Sequence, residues 1–310
     1  MSDSVIMPKF YRGRFAPSPT GPLHFGSMVA AVGSFLQAKS RGGEWLVRME
    51  DLDPPREMPG AADEILRTLE AFGLFWDGAV MYQSRRHGVY EAALKMLERL
   101  DAIYPCACSR REIADSSVSG VDGPVYPGTC RAGLPAGREP RAWRVRVNGR
   151  AIEFMDAVQG RVLRDLAADF GDFVVRRADG YFAYQLAVVV DDAEQGISEV
   201  VRGADLIEST PRQMHLQDLL GLPTPDYLHL PVALSMQREK LSKQTFAAPA
   251  DITRPVPMLY QVLRFLGQDP PPALAESSLD DFWCWAVAHW RLESVPRVPG
   301  VVVETPNARN

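Results

Sequence analysis

Long apolar runs are missing from this chain. The longest, around Leu186 to Val190, is far too short to cross a bilayer. Met1 to Phe10 holds no apolar stretch of the kind a secretory signal needs. The expectation is a soluble, cytoplasmic protein with no membrane role. Cysteine is scarce: four in 310 residues cannot build a disulfide framework. An excess of positive charge is also absent. The net charge is −5, which excludes a non-specific nucleic-acid coat but not a local basic face. No internal repeat is visible. What is present is ample core material. At 46% apolar residues with mixed charges, the chain can fold into two or three domains, and disorder is expected only at the ends.

Strand and helix signals alternate over the first hundred residues. Gly13 to Ala16 reads as a strand and Ser27 to Ser40 as a helix ending at Gly42-Gly43. Glu44 to Met49 is a second strand, and Ala61 to Phe72 and Val89 to Leu100 are further helices. Strand, helix, strand in so short a span implies a right-handed parallel unit. Its ligands bind at the carboxyl ends of the strands, where the loop Pro17 to Leu23 lies. From Tyr104 to Asp172 the texture is loop-rich, with short β-like runs at Trp143 to Val147 and Ala151 to Phe154. Alternation resumes at Phe173 to Arg176. Helical stretches recur at Met258 to Leu266 and Leu279 to Trp290. The expected division is 1–103 and 173–246 as two halves of an α/β catalytic domain, 104–172 as an insertion, and 247–310 as a short helical stub. The tail from Val295 is expected to be poorly ordered beyond Thr305.

Two distant stretches carry chemistry. One is Arg14-Phe15-Ala16-Pro17-Ser18-Pro19-Thr20-Gly21-Pro22-Leu23-His24-Phe25-Gly26-Ser27, the other Lys240-Leu241-Ser242-Lys243. A triphosphate needs close backbone approach and donors where charge builds up. Gly26 lacks the Cβ that would obstruct a base or ribose. A helix starting at Gly26-Ser27 aims free N–H groups at phosphate. His24 can donate to the reacting phosphate, and Lys240 and Lys243 can follow the departing pyrophosphate. Together, in this order, the two stretches resemble the nucleotide-binding signatures of class I aminoacyl-tRNA synthetases, and the first matches the glutamyl branch closely. Phe25 stands where isoleucine is common, and Gln244 replaces the last serine of the usual lysine loop. The lysines and the His-Gly spacing are kept, so an active enzyme is expected, with ATP and Mg²⁺ among its substrates.

A free amino acid brings an ammonium, which needs a carboxylate, and Glu50 is the best candidate. Glutamate adds two carboxylates, and Arg14 and Arg202 can each grip one bidentately. Tyr184 adds a hydroxyl. Arg48, Asp51 and Asp53 cluster nearby and read equally well as surface ion pairs. The family resemblance implies glutamate contacts at Arg14, Glu50, Tyr184 and Arg202, with Phe15, Ala16, Pro17 and Ser18 beside them, and ATP contacts at His24, Gly26, Ser27 and Lys243.

Cys106, Cys108 and Cys130 share one loop-rich stretch, and metal binding is the natural reading in a reducing compartment. A closed zinc site wants a fourth ligand. No histidine lies between His87 and His215, so Asp115, Asp122 and Tyr126 are the local choices. Cys284, between two tryptophans, reads as buried. Over nearly its whole length the chain resembles the glutamyl-queuosine tRNA(Asp) synthetase family, truncated relatives of glutamyl-tRNA synthetase. The matching runs include Val47 to Glu57, Ala183 to Asp192 and Lys240 to Gln244. This resemblance implies a Rossmann-like catalytic domain and one structural Zn²⁺ on Cys106, Cys108, Tyr126 and Cys130. It also implies no anticodon-binding domain, since only 66 residues follow Gln244. The implied activity is activation of L-glutamate with ATP and its transfer to queuosine of tRNA(Asp), with no obligate protein partner. Arg110, Arg111 and Arg131 are candidate phosphate contacts. The alternatives are a short synthetase charging a tRNA 3′ end, a non-catalytic tRNA-binding paralogue, and a small-molecule nucleotidyltransferase.

Overall fold

The computed structural model describes residues 10–238 and 248–303. Its first unit is β1 (Arg12–Phe15), α1 (Phe25–Lys39), β2 (Glu44–Met49), α2 (Ala61–Ala71), β3 (Met81–Tyr82) and α3 (His87–Arg99). β1, β2 and β3 pair side by side in parallel. Helix α1 starts where the chain stops being extended at His24. There the Ser27 hydroxyl takes the His24 N–H at 2.8 Å. The helix ends where Gly42 adopts φ 64°, a conformation that costs glycine little. Its residues from Met28 to Ala38 are almost all buried. Trp45 on β2 lies between Phe15 and Phe35, with ring centroids at 6.3 and 5.2 Å, and its indole N–H reaches Ser34 at 2.9 Å. A buried tryptophan is thus packed and satisfied at once.

The next stretch holds β4 (Ile103–Cys106), α4 (Arg110–Ser116), β5 (Val118–Gly120), β6 (Gly123–Val125) and β7 (Ala142–Val145). It continues through β8 (Ala151–Asp156), β9 (Gly160–Asp165), α5 (Leu166–Asp169) and β10 (Phe173–Arg176). Strand pairing here cuts across the expected 104–172 boundary in two places. β10 joins β7 and β4 in one antiparallel sheet, so the strand after Asp172 belongs with the insertion. The β8–β9 hairpin instead extends the catalytic sheet through Asp156, which sits opposite Tyr227.

The chain then forms α6 (Tyr184–Glu194), β11 (Glu199–Gly203), α7 (Thr210–Leu220), β12 (Asp226–Leu230) and β13 (Val232–Leu234). β11 and β12 are parallel. β1 lies against β11: the Ser198 N–H donates to the Arg12 carbonyl at 2.9 Å, and the Arg12 N–H to the Ser198 hydroxyl at 2.9 Å. The parallel set β3-β2-β1 therefore lies beside the parallel set β11-β12, with the chain reversing its direction of build between β1 and β11. A crevice at such a reversal is where sheets of this kind bind ligands. Gly33 lets α1 settle on this sheet, since a Cβ there would meet Leu230 Cδ1 at 2.4 Å.

The last described elements are α8 (Pro255–Phe265), α9 (Leu279–His289) and β14 (Gly300–Val302). They pack back on α1 through Phe25–Phe265 and Phe35–Trp283 ring contacts at 5.6 and 4.8 Å. The proline- and valine-rich tail contributes a strand, because β14 pairs with β13. Cys284 is exposed rather than buried. Helix α9 turns Phe282 and Ala286 inward, and a cysteine between them in sequence falls on the opposite side. No described helix is long and apolar enough to cross a membrane.

Candidate functional site

Two adjoining cavities open at the carboxyl ends of β1, β2 and β11. The larger, about 630 Å³, is lined by Pro17, Ser18, Thr20, Leu23, His24, Gly26 and Ser27, and across from them by Asp205 and residues 230–233. The smaller, about 130 Å³, is lined by Arg14, Ala16, Glu50, Tyr184, Arg202 and Leu206. Phe15, Ala30 and Gly203 border both. The expected glutamate run is therefore divided: Arg14, Phe15 and Ala16 touch the smaller space, while Pro17 and Ser18 face the larger. The first turn of α1 meets the larger cavity at Gly26 and Ser27, where the positive end of the helix dipole favours an anion.

Lys240 and Lys243 lie outside the described residues. The chain on their carboxyl side returns to the His24 loop: Pro249 bridges His24, and the Ala250 N–H donates to the Leu23 carbonyl at 2.8 Å. On their amino side, Val232 and Ala233 line the larger cavity.

Within the smaller cavity the two arginines differ in kind. Arg14, 3% exposed, is already gripped at both ends of its fork: Nε to Asp192 Oδ1 at 3.0 Å and Nη2 to Oδ2 at 3.3 Å. Its bidentate partner is thus a side chain of α6. Arg202, 5% exposed, has no carboxylate partner among the described residues. Its Nε donates to His229 Nε2 at 3.0 Å and its Nη1 to the Tyr184 hydroxyl at 3.1 Å. Nη2 donates to the Leu206 carbonyl at 3.3 Å and the Thr210 hydroxyl at 2.7 Å. A guanidinium has five N–H groups, so one on Nη1 is left toward the cavity. Arg202 Nη1 and the Tyr184 hydroxyl thus stand side by side at the wall of the smaller cavity.

Arg48 is no surface residue. It is fully buried, 2.8 Å from Asp192, 3.4 Å from Glu50 and 2.6 Å from the Gln195 amide oxygen. Burial alone would raise the Asp192 carboxyl, but Arg14 and Arg48 hold it below its ordinary value. Glu50 behaves oppositely. Burial pushes its carboxyl above the usual range against the pull of Arg48 and Arg14. A carboxylate so placed gains most from a cation arriving in the cavity. Asp51 caps Ser84, and Asp53 pairs with Arg177 and Arg56, so both act at the rim. Asp192, His229 and Asp156 were not apparent as site residues. For Asp192 a signal existed: Asp191-Asp192 ends an otherwise apolar run, and two acids entering a buried helix need partners.

The thiols of Cys106, Cys108 and Cys130 lie within 4.8 Å of one another, a group able to hold a metal ion. Strand β4 carries the first, and the loop after β6 the last. The Tyr126 hydroxyl stands 3.4 Å from Cys106 Sγ and 3.5 Å from Cys108 Sγ, and accepts the Cys130 N–H at 2.9 Å. Arg144 lies over the Tyr126 ring at 4.0 Å and donates to Cys106 Sγ at 3.3 Å. Burial would raise the Cys106 thiol, yet hydrogen bonds from Tyr126 and Arg144 hold it below its ordinary value. Asp122 is turned away to Arg212, and Asp115 lies by Arg111. Arg110 and Arg111 are exposed. Arg131 is exposed as well, and it also donates to the Val147 carbonyl and pairs with Asp172 at 3.5 Å.

The model of the catalytic domain of class I tRNA synthetases (E and Q) matches residues 11–254. A glutamyl-Q tRNA(Asp) synthetase of Dechloromonas aromatica is 61% identical over 289 residues, covering 93% of this chain and 96% of that protein. One of Chromobacterium violaceum is 60% identical over 290 residues, with 93% and 96% covered. A glutamate tRNA ligase of Elizabethkingia meningosepticum, solved in complex with its amino acid, superposes with a TM-score of 0.79 at 24% identity, over 95% of this chain and 67% of that one. This last likeness concerns the fold.

Proposed function

This chain belongs to the class I tRNA synthetase (E and Q) family, and on that premise we propose that it joins L-glutamate to AMP and passes the glutamyl group to queuosine in tRNA(Asp). The observation that carries the amino-acid assignment is Arg202: a buried cation whose partners among the described residues are all neutral, at the wall of a cavity of about 130 Å³. Burying an uncompensated charge costs several kcal/mol. A substrate side-chain carboxylate taking Arg202 Nη1–H and the Tyr184 O–H offsets that cost. Glu50 receives the ammonium. The reacting carboxylate then points past Phe15 and Gly203 into the larger cavity.

There its oxygen attacks the α-phosphorus of ATP, and the bond to the bridging oxygen breaks as pyrophosphate leaves. His24, Gly26 and Ser27 border the phosphates, and Lys240 and Lys243 follow the leaving charge; Mg²⁺ enters with the ATP. In the second step a hydroxyl oxygen of the cyclopentene-diol attacks the acyl carbon, loses its proton, and AMP departs. The identities of 61% and 60% with glutamyl-Q relatives favour this acceptor over a tRNA 3′ end.

Zinc fits the cysteine cluster. Tetrahedral Zn–S bonds of ~2.3 Å place sulfurs ~3.8 Å apart, and a Zn–O bond of ~2.0 Å places that oxygen ~3.5 Å from each sulfur. The separations here are 3.7 Å for Cys108–Cys130 and 3.4 and 3.5 Å from the Tyr126 oxygen. Four protein ligands leave no open position, so the metal's part is structural, and Arg144 offsets its surplus negative charge. The insertion of 104–172 and the stub of 247–310 are the parts we assign to holding the RNA.

The test is transfer of labelled glutamate with ATP to tRNA(Asp) with and without queuosine. Transfer only to the queuosine form, surviving oxidation of the 3′ ribose before the modified base is introduced, is expected. Transfer to the unmodified tRNA overturns the reading.

A further inference from the structure

We infer that Asp156 and His229 are positioning residues that fix the Arg202 guanidinium for the substrate carboxylate, through a single imidazole tautomer. This rests on the reading of Arg202 given above. The chain of reasoning starts with Arg202 Nε, which can only donate. His229 Nε2, 3.0 Å away, must therefore accept and carries no proton. The ring proton then sits on Nδ1, which donates to Asp156 Oδ2 at 2.6 Å. Asp156 is itself immobilised, because its Oδ1 takes the backbone N–H groups of Val158, Gln159 and His229 at 3.0, 2.8 and 3.2 Å. Both side chains are 0% exposed.

The arrangement has a chemical purpose beyond packing. A carboxylate placed directly on Arg202 would orient the guanidinium but neutralise it, as Asp192 does for Arg14. Setting a neutral imidazole between Asp156 and Arg202 hands on the orientation and keeps the anion a ring's width away. Burial keeps the His229 imidazole below its ordinary pKa against the pull of Asp156, consistent with a neutral ring. Arg202 therefore keeps its charge for the ligand. The β8–β9 hairpin, whose Asp156 reaches the catalytic sheet at Tyr227, is thereby tied to the amino-acid site.

Asp156→Asn is the discriminating variant. Its remaining oxygen can keep the three backbone N–H groups. Its new amide N–H faces His229 Nδ1 and drives the ring proton to Nε2, where it meets the Arg202 Nε–H. The expected result in glutamate-dependent ATP–pyrophosphate exchange is a KM for glutamate raised tenfold or more, toward the ~10²-fold that a 1 Å misplacement costs. The KM for ATP stays unchanged and kcat falls much less. A glutamate KM within about twofold of the wild type overturns the inference, and so does a loss confined to kcat. Nitrogen-15 NMR of the wild-type imidazoles decides the case independently, whether or not the variant folds. His229 is expected as the neutral Nδ1–H tautomer, and an Nε2–H tautomer or an imidazolium refutes the relay. If wild-type protein shows no glutamate-dependent exchange, the proposed function fails, while the tautomer still decides the relay.

Discussion

Arg14 and Asp192 meet fork to fork, Nε to Oδ1 at 3.0 Å and Nη2 to Oδ2 at 3.3 Å, across 178 residues of sequence. The carboxylate also holds Arg48 at 2.8 Å, so one anion anchors two buried cations beneath the cavity.

Removing that anchor leaves two arginines without their shared anion. Asp192→Ala is expected to cost about 3–5 kcal/mol, as loss of one partner of a buried pair does. Urea unfolding followed by circular dichroism measures it. A loss below about 1 kcal/mol would show that Asp191 and Glu50 suffice.

Glu50 sets stability against binding. Its carboxyl is raised in the folded protein, first by burial. A raised folded value means the native state holds the proton more tightly than the unfolded chain. The associated stability is present below the unfolded value of about 4.3 and is lost as pH rises through the higher folded value. Glu50→Gln, which cannot ionise, should therefore melt above the wild type at pH 7, and the difference should vanish near pH 3. The same variant should raise the KM for glutamate at least about thirtyfold, the ~2 kcal/mol lower end for a buried charge left without its partner. A variant less stable than wild type at pH 7 contradicts the sign.

Lys243 is expected to act on charge that develops as pyrophosphate leaves. Lys243→Ala should lower kcat for pyrophosphate exchange by roughly 10²–10³ with little change in glutamate affinity. Turnover within about twofold of wild type removes Lys243 from the chemistry.

The cysteine cluster is expected to hold one zinc per chain, found by elemental analysis of protein purified without added metal. Cys130→Ala should release it and lower Tm, since a closed site contributes folding energy. Pyrophosphate exchange should survive in the folded fraction while transfer to tRNA falls. Metal-free protein of undiminished Tm would refute the assignment.

Local pattern determined a good deal. Strands Glu44–Met49 and Phe173–Arg176 were readable to the residue, and α1 to within two. The reason is that apolar spacing and glycine stops act within a few residues. The cysteine cluster was legible because Cys108 follows two residues after Cys106, which ends a short strand, and Cys130 follows within one small loop-rich stretch. The identity of Arg14, Glu50, Tyr184 and Arg202 as a group came from family likeness, and their convergence on one cavity is a tertiary fact. Tertiary structure alone decided which arginine is spent and which is available. Arg202 finds His229 because β11 and β12 pair with the two residues in register, His229 finds Asp156 because β12 lies beside β8, and Arg14 on β1 meets Asp192 from α6. Arg131 pairs with Asp172 for the same kind of reason, since Asp172 arrives next to it from the far end of the insertion. Strand order and register choose such partners across tens to hundreds of residues. Periodicity carries no information at that range, so charge pairing, and with it the division between scaffold and site, is written only in the folded chain.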